Sequence, residues 1–164
     1  MSDELIIRNV RAQDMPALEQ IARAAWRPVY ESFRRILGDE IFEAYWPDAL
    51  DGKARQVHKG CAPDGPGLVY VAELAGRVVG FVSCFIKGTS PVAEIGNNAV
   101  HPDFQRHGIA GRMYRHVFDR LRERGVQFVE VHTGGDPSHA PARRAYEKAG
   151  FDRALPGVTY YRKL

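Results

Sequence analysis

The chain has 164 residues, 45% of them hydrophobic and 26% charged, with a formal net charge of +3. These are ordinary values for a soluble protein, and the length suits a single domain with a real core. No segment approaches the roughly 20 apolar residues of a membrane span, and the Met-Ser-Asp-Glu start lacks the basic flank and apolar run of a signal peptide, so a cytoplasmic protein with no membrane partner is expected.

Cys61 and Cys84 make no Cys-x-x-Cys pair and no His spacing suits zinc, so neither a disulfide scaffold nor a metal site is expected. Cys84 lies in an apolar run and reads as a buried thiol. Charge is uneven. Residues 1–95 carry 11 Lys/Arg against 13 Asp/Glu, and residues 96–164 carry 12 against 7. A positive second half suits a ligand with several phosphates, while Arg-rich helix faces alone do not indicate nucleic acid.

Taken in order, Leu5 to Val10 reads as a first strand. Asp14 and Pro16 start a helix that runs to Trp26, with Leu18, Ile21, Ala22 and Ala25 on its buried face; Pro28 is expected to interrupt it. Val29 to Phe33 continues as helix or turn toward Gly38. A second helix spans Asp39 to about Trp46 and stops at Pro47. Asp39, Glu40, Glu43, Asp48 and Asp51 form an acidic stretch with no intervening Lys or Arg.

A loop from Gly60 to Gly67 leads to two strands, Leu68 to Leu74 and Val78 to Ile86, joined by a hairpin at Ala75-Gly76-Arg77. A third strand, Val92 to Val100, contains Gly96-Asn97-Asn98, residues depleted in strand interiors. They mark either a bulge or a close approach by another backbone.

Pro102 ends that strand, because it has no amide hydrogen to give a ladder. From Ile109 the period is helical: Ile109, Met113, Val117 and Leu121 recur every four residues as far as about Gly125. The first amides of this helix have no partner within it and stand at its positive end, beside Gly108 and Gly111, where backbone can approach a ligand closely. This is the layout of a phosphate cradle.

Val126 to Thr133 reads as another strand, and the β-helix-β unit makes it parallel to the one before. Gly134 to Pro137 ends it, Ser138 or His139 caps a helix tolerating Pro141, and Gly150 closes that helix. Val158 to Leu164 alternates as a final strand. One mixed α/β sheet with helices on its faces accounts for the chain.

The segment Gln105-Arg106-His107-Gly108-Ile109-Ala110 fits Gln/Arg-x-x-Gly-x-Gly/Ala, preceded by Val-x-Pro-x-x, and resembles the acetyl-CoA-binding motif of the GNAT family of N-acetyltransferases. The segment Ala142-Arg143-Arg144-Ala145-Tyr146-Glu147-Lys148-Ala149-Gly150-Phe151 resembles the family's second signature, Asn-x-x-Ala-x-x-x-Tyr-Glu-Lys-x-Gly-Phe. His139 stands where the family usually has Asn, and Ala110 replaces the more common second glycine. The resemblance is good over residues 68–164 and rests on element order alone before that.

The resemblance implies a single-domain fold over 1–164 with a central, mostly antiparallel mixed sheet, helices on both faces and a splayed strand pair for the cofactor. Residues 1–67 would supply acceptor-side helices and 68–164 the acetyl-CoA core. It implies transfer of acetyl from acetyl-CoA to a primary amine of a small molecule or peptide, by direct attack in a ternary complex, with no metal. Backbone amides of Arg106, His107, Gly108, Ile109, Ala110 and Gly111 would hold the pyrophosphate, with Gln105 in the motif and charge from Arg106 and Arg112. Pantetheine would lie along Asn98, Ala99 and Val100, and His139 could donate a hydrogen bond in place of Asn.

In the same register Glu94 would be the base, directly or through a water; the Asn98 amide would meet the oxyanion and Tyr146 would protonate the departing sulfur. An acyl-Cys84 intermediate is a minor alternative. Trp26, Tyr30 and Phe33, with Tyr45, Trp46 and the acidic stretch, either line a site for a cationic amine or are core aromatics and solvated acids. A protein lysine or α-amine acceptor, and a non-catalytic acyl-CoA-binding regulatory module, are the alternative functions. Dimers are common in such enzymes, so a homodimer is compatible, with no interface legible in the residues.

Overall fold

The computed structural model describes residues 4–164. Its sheet is built from β1 (Leu5–Asn9), β2 (Leu68–Leu74), β3 (Arg77–Ile86), β4 (Val92–Val100) and β5 (Phe128–Val131), in that spatial order. All neighbours are antiparallel except β4 and β5, which are parallel, as the intervening helix α4 (Ile109–Arg122) requires. The remaining helices are α1 (Met15–Leu37), α2 (Asp39–Tyr45), α3 (Ala49–Gly60) and α5 (Ala140–Lys148).

The side-chain period of two in the strands divides the core between two faces. Tyr70, Ala72, Val82, Cys84, Ala93, Ile95 and Val100 face α4 and α5, whose buried stripe is Ile109, Met113, Tyr114, Val117, Leu121 and Tyr146. Val69, Val71 and Phe81 face the other way, onto Met15, Leu18, Ile21 and Ala22 of α1 and Val57 of α3. Full burial of each such aliphatic side chain contributes about 1.5–3 kcal/mol. The start of α1 is fixed electrostatically: Arg8 on β1 bonds the buried Asp14 carboxylate at 2.7 and 2.9 Å and Glu73 at 2.7 Å.

Three expectations are corrected. Pro28 does not interrupt the first helix, which runs unbroken through it to Leu37. Pro28 lies on an exposed turn, where the carbonyl that loses its amide partner can bond water. Gly38, at φ +78°, is the true stop. The second correction is α3, which the sequence reading left unassigned. Leu50, Ala54, Val57 and Cys61 carry a helical stripe, hidden by the two glycines, Gly52 and Gly60, in the same segment.

The third concerns the carboxyl end. Val158 to Leu164 forms no strand, and Leu155, Val158, Tyr160 and Leu164 are exposed. The tail reaches α2, where Tyr161 packs edge-on to Tyr45 with centroids 5.1 Å apart and Lys163 pairs with Glu40. Alternation favours an extended chain but supplies no pairing strand, so β5 remains a sheet edge with Phe128 63% exposed. An apolar concavity of about 670 Å³ beside that edge, lined by Phe118, Leu121, Phe128 and Phe151, lies away from the phosphate motif.

Candidate active site

The turn before α4 has the form that phosphate binding needs. Arg106 (φ +66°) and Gly108 (φ +75°) both adopt left-handed backbone, which turns successive amides to one side, and α4 starts at Ile109. The first helical bond at this end runs from the Arg112 amide to the Gly108 carbonyl at 3.1 Å. Among the described residues no protein acceptor engages the amides of Arg106, His107, Gly108, Ile109, Ala110 or Gly111. Residues 105–108 are exposed, and a Cβ built at Gly108 or Gly111 would meet nothing within 4 Å, so the nest is open.

Two side chains of the motif bond backbone carbonyls of β4 and β1. Gln105 Nε2 donates to the Val100 carbonyl at 3.0 Å and pins the end of β4 to the loop. Arg112 Nη2 donates to the Leu5 carbonyl at 2.7 Å, so its guanidinium ties α4 to β1. Arg106 is exposed and makes no ion pair among the described residues.

Beside the nest, β4 and β5 part company. Their pairing runs from Val92 with Phe128 to Ile95 with Val131 and ends there, so Gly96 to Val100 has no neighbour on that side. On its other side β4 is bulged: Asn98 pairs with Val82 and Ile95 with Cys84, leaving Ser83 opposite both Gly96 and Asn97. The close approach at Gly96 comes from side chains rather than backbone, since a Cβ there would lie 2.8 Å from both Phe85 and the Ser83 hydroxyl.

The register also decides where backbone groups point. The His101 amide donates to the Val79 carbonyl at 2.8 Å, and in an antiparallel ladder alternate residues bond the same neighbour. Ala99 therefore bonds across to Phe81, while Asn98 and Val100 turn their amides toward the gap that β5 leaves. This is the splayed pair in physical terms.

Under that gap lies a buried polar cluster. Tyr114 on α4 donates to Asn98 Oδ1 at 2.8 Å, and Asn98 Nδ2 bonds the Gly96 carbonyl at 3.1 Å. The Tyr146 hydroxyl stands 3.2 Å from Asn98 Nδ2 and 3.4 Å from Oδ1. The Tyr146 oxygen accepts from Nδ2, and its hydroxyl makes only a long bond to Oδ1, which Tyr114 holds more closely. Burial pushes both phenols above their ordinary range, partly offset at Tyr146 by the bond from Asn98, so both are protonated at neutral pH. Tyr114 was missed because its position in the helical stripe reads as core packing.

Glu94 faces the α1 and α3 side at the last paired stretch of β4. Lys87 Nζ lies 3.4 Å from its carboxylate and also bonds Glu130, its neighbour on β5. Glu94, Glu130 and His132 bring three ligand-type atoms within 4.8 Å of one another, but the Lys87 ammonium sits among them. Cys84 is fully buried, and burial raises its thiol to about 11, which disfavours the thiolate that an acyl-Cys84 intermediate would need.

His139 precedes α5 and its Nδ1 bonds the Asp136 carboxylate, which also accepts from Ser138 and, at 2.8 Å, from Ser32 of α1. Burial opposes ionisation of Asp136, yet the hydrogen bonds from Ser138, His139 and Ser32 outweigh it and hold the carboxyl well below the usual range. A Cβ at Gly134 would fall inside the His139 and Asp136 side chains. His139 stacks on Phe33, with ring centroids 5.9 Å apart.

Phe33 leads into an aromatic cluster in which Tyr30, Phe42 and Trp46 lie 5.3–6.4 Å from one another or from Phe33. Trp26 stands apart, its face covered by the Lys53 ammonium at 4.0 Å. The acidic stretch is not a free anionic surface. Asp39 and Glu43 pair with Arg34, Glu40 with Lys163, Asp48 with Arg55 and Asp51 with Arg23, so each carboxylate has a partner from elsewhere in the chain.

Residues 19–151 match the family model described as the acetyltransferase (GNAT) family. The chain belongs to this family. The [ribosomal protein bS18]-alanine N-acetyltransferase of Escherichia coli K12 is 38% identical over 71 residues, which cover 42% of this chain and 45% of that protein. A mycothiol acetyltransferase of Thermomonospora curvata is 32% identical over 126 residues, 77% of this chain and 40% of that protein. The matches thus span less than half the length of these curated relatives.

Solved structures share the GNAT fold. The PaiA N-acetyltransferase of Thermoplasma acidophilum, in complex with coenzyme A, superposes with a TM-score of 0.69 at 17% identity, covering 91% of this chain and 90% of that one. The ribosomal-protein-S18-alanine N-acetyltransferase of Escherichia coli gives 0.65 at 22% identity, covering 93% and 80%. Among the described residues no helix is long and apolar enough to cross a membrane.

Proposed function

We propose that this GNAT protein transfers the acetyl group of acetyl-CoA to a primary amine of a small molecule or peptide by direct attack in a ternary complex. The observation that carries the reading is the open nest of amides at residues 106–111, continuous with the unpaired side of β4. Residues 68–164 would form the cofactor core and residues 1–67 the acceptor wall.

The residues fit the cofactor: the nest offers amides without protein acceptors, and Gly108 and Gly111 leave its mouth clear. Bound acetyl-CoA supplies a thioester, whose carbonyl gains negative charge when an amine attacks. Arg106 adds positive charge at the diphosphate, and the Asn98 and Val100 amides bond along the pantetheine arm; Val100 does so through its amide alone, its carbonyl being held by Gln105. The Asn98 amide donates to the carbonyl oxygen as charge develops.

Glu94 removes the amine proton, directly or through a water, since an ammonium of pKa about 10.4 has no lone pair with which to attack. Tyr146, kept protonated by burial, gives a proton to the leaving sulfur. His139, whose Nδ1 is held by Asp136, presents Nε2 as its remaining contact to the cofactor. Phe33 and Tyr30 shape the acceptor wall by their apolar faces, since the nearby carboxylates are paired. A thiol-release screen across polyamines, aminoglycosides, amino acids and peptides tests the reading. If acetyl-CoA raises the melting temperature but no amine releases thiol, the protein is a binding module.

A further inference from the structure

Lys53, on α3, is buried at 9% exposure and has no carboxylate partner among the described residues. Its ammonium donates to Asn97 Oδ1 at 2.7 Å and Gln56 Oε1 at 2.8 Å and lies 4.0 Å above the centre of the Trp26 ring. Burial lowers its pKa to about 8, which measures the cost of keeping a cation there without a counter-ion. Two neutral acceptors and an aromatic face surround it, so little donor capacity is left for a ligand carboxylate.

Asn97 is the bulged residue of β4, and its carbonyl belongs to the peptide group that carries the Asn98 amide. The Ser83 hydroxyl donates to that carbonyl at 3.1 Å while Lys53 holds the Asn97 side chain. The Ser83 bond polarises the peptide and so strengthens the Asn98 N–H as a donor, while the Lys53 bond holds the Asn97 side chain and with it the plane of that peptide. The buried cation thus holds the residue whose carbonyl shares a peptide group with the Asn98 amide.

We infer that Lys53 is a positioning residue for acetyl transfer, acting through the Asn97 side chain to aim the Asn98 amide from the acceptor-side helices. The inference rests on the functional reading above and adds to it a residue no motif marks. It explains why a cation is retained where a neutral chain of the same length would be cheaper to bury.

The test uses acetyl-CoA carrying ¹³C at its carbonyl and needs no acceptor. In the wild-type complex the infrared carbonyl stretch is expected below that of free acetyl-CoA. Lys53→Met should return most of that shift while acetyl-CoA affinity stays within about twofold and the melting temperature holds or rises. With any competent amine, kcat should fall about tenfold or more at nearly unchanged KM for acetyl-CoA. Asn97→Ala should do the same, and the double variant should be no worse than either alone.

A Lys53→Met complex that keeps the full wild-type carbonyl shift with normal affinity overturns the inference, as does additive loss in the double variant. A wild-type complex with no carbonyl shift, or no binding of acetyl-CoA at all, instead overturns the transfer reading on which it rests.

Discussion

Tyr114 and Tyr146 share a single side-chain amide: Tyr114 donates to Asn98 Oδ1 at 2.8 Å and Asn98 Nδ2 stands 3.2 Å from the Tyr146 oxygen. Through that amide, a residue on α4 is tied to a phenol on α5. Tyr146→Phe is expected to bind CoA normally and to lower kcat about 10²-fold, the usual worth of a positioned acid. Tyr114→Phe should lower it less, by releasing Asn98. Steady-state kinetics beside CoA titration decide; an unchanged kcat in Tyr146→Phe removes the acid assignment.

Gly108 tests the nest. Its φ of +75° is strained for any side chain, and worst for a β-branched one. Gly108→Val should weaken CoA binding about tenfold or more, a loss of about 1.4 kcal/mol, with less effect on overall melting temperature. Calorimetric titration with CoA measures it, and unaltered affinity would mean that the diphosphate sits elsewhere.

Gly96 has no room for a Cβ, which would lie 2.8 Å from Phe85 and from the Ser83 hydroxyl. Gly96→Ala is therefore expected to destabilise the fold by about 1–3 kcal/mol, as overpacking does, and to disturb the Asn97 carbonyl bond as well. Denaturant unfolding gives the first value. Equal stability in the variant would show that the bulge is softer than its packing implies.

Asp136 links pH to stability. A carboxyl held below its ordinary pKa favours the folded state where it is ionised, so its contribution is complete above about pH 4 and is lost as pH falls further toward the native value. Asp136→Asn should cost about 1–3 kcal/mol at neutral pH and show a shallower fall in melting temperature between about pH 4 and pH 2. Parallel pH slopes in the two proteins would contradict this.

Cys84 is a core thiol. Cys84→Ala should keep turnover within about twofold of wild type while lowering stability slightly, because no covalent step passes through the sulfur. Abolished turnover in a folded Cys84→Ala protein would revive the acyl-enzyme route.

Periodicity and punctuation were enough for the strands around the site. Strands β2 to β4, the helix after Gly108 and the irregularity at Gly96-Asn97 follow from local rules, because apolar spacing, a proline that cannot donate and glycines that can turn act within a few residues. The nest is legible for the same reason, being one continuous stretch of backbone. Local rules failed at Pro28, where an exposed helix turn tolerates the missing bond, and at α3, whose stripe is thinned by glycine.

Tertiary structure alone decided where polar groups from distant segments meet. That Arg112 turns to Leu5, that the acids of α2 and α3 find Arg23, Arg34, Arg55 and Lys163, and that Tyr114, Asn98 and Tyr146 converge are matters of packing between segments up to 123 positions apart. The tail shows the same limit: its alternation is a property of the chain, but a strand exists only where another edge accepts its hydrogen bonds. Sequence determined which backbone could bend and which side chains could hide; the fold determined which charges and hydrogen-bonding groups were brought together.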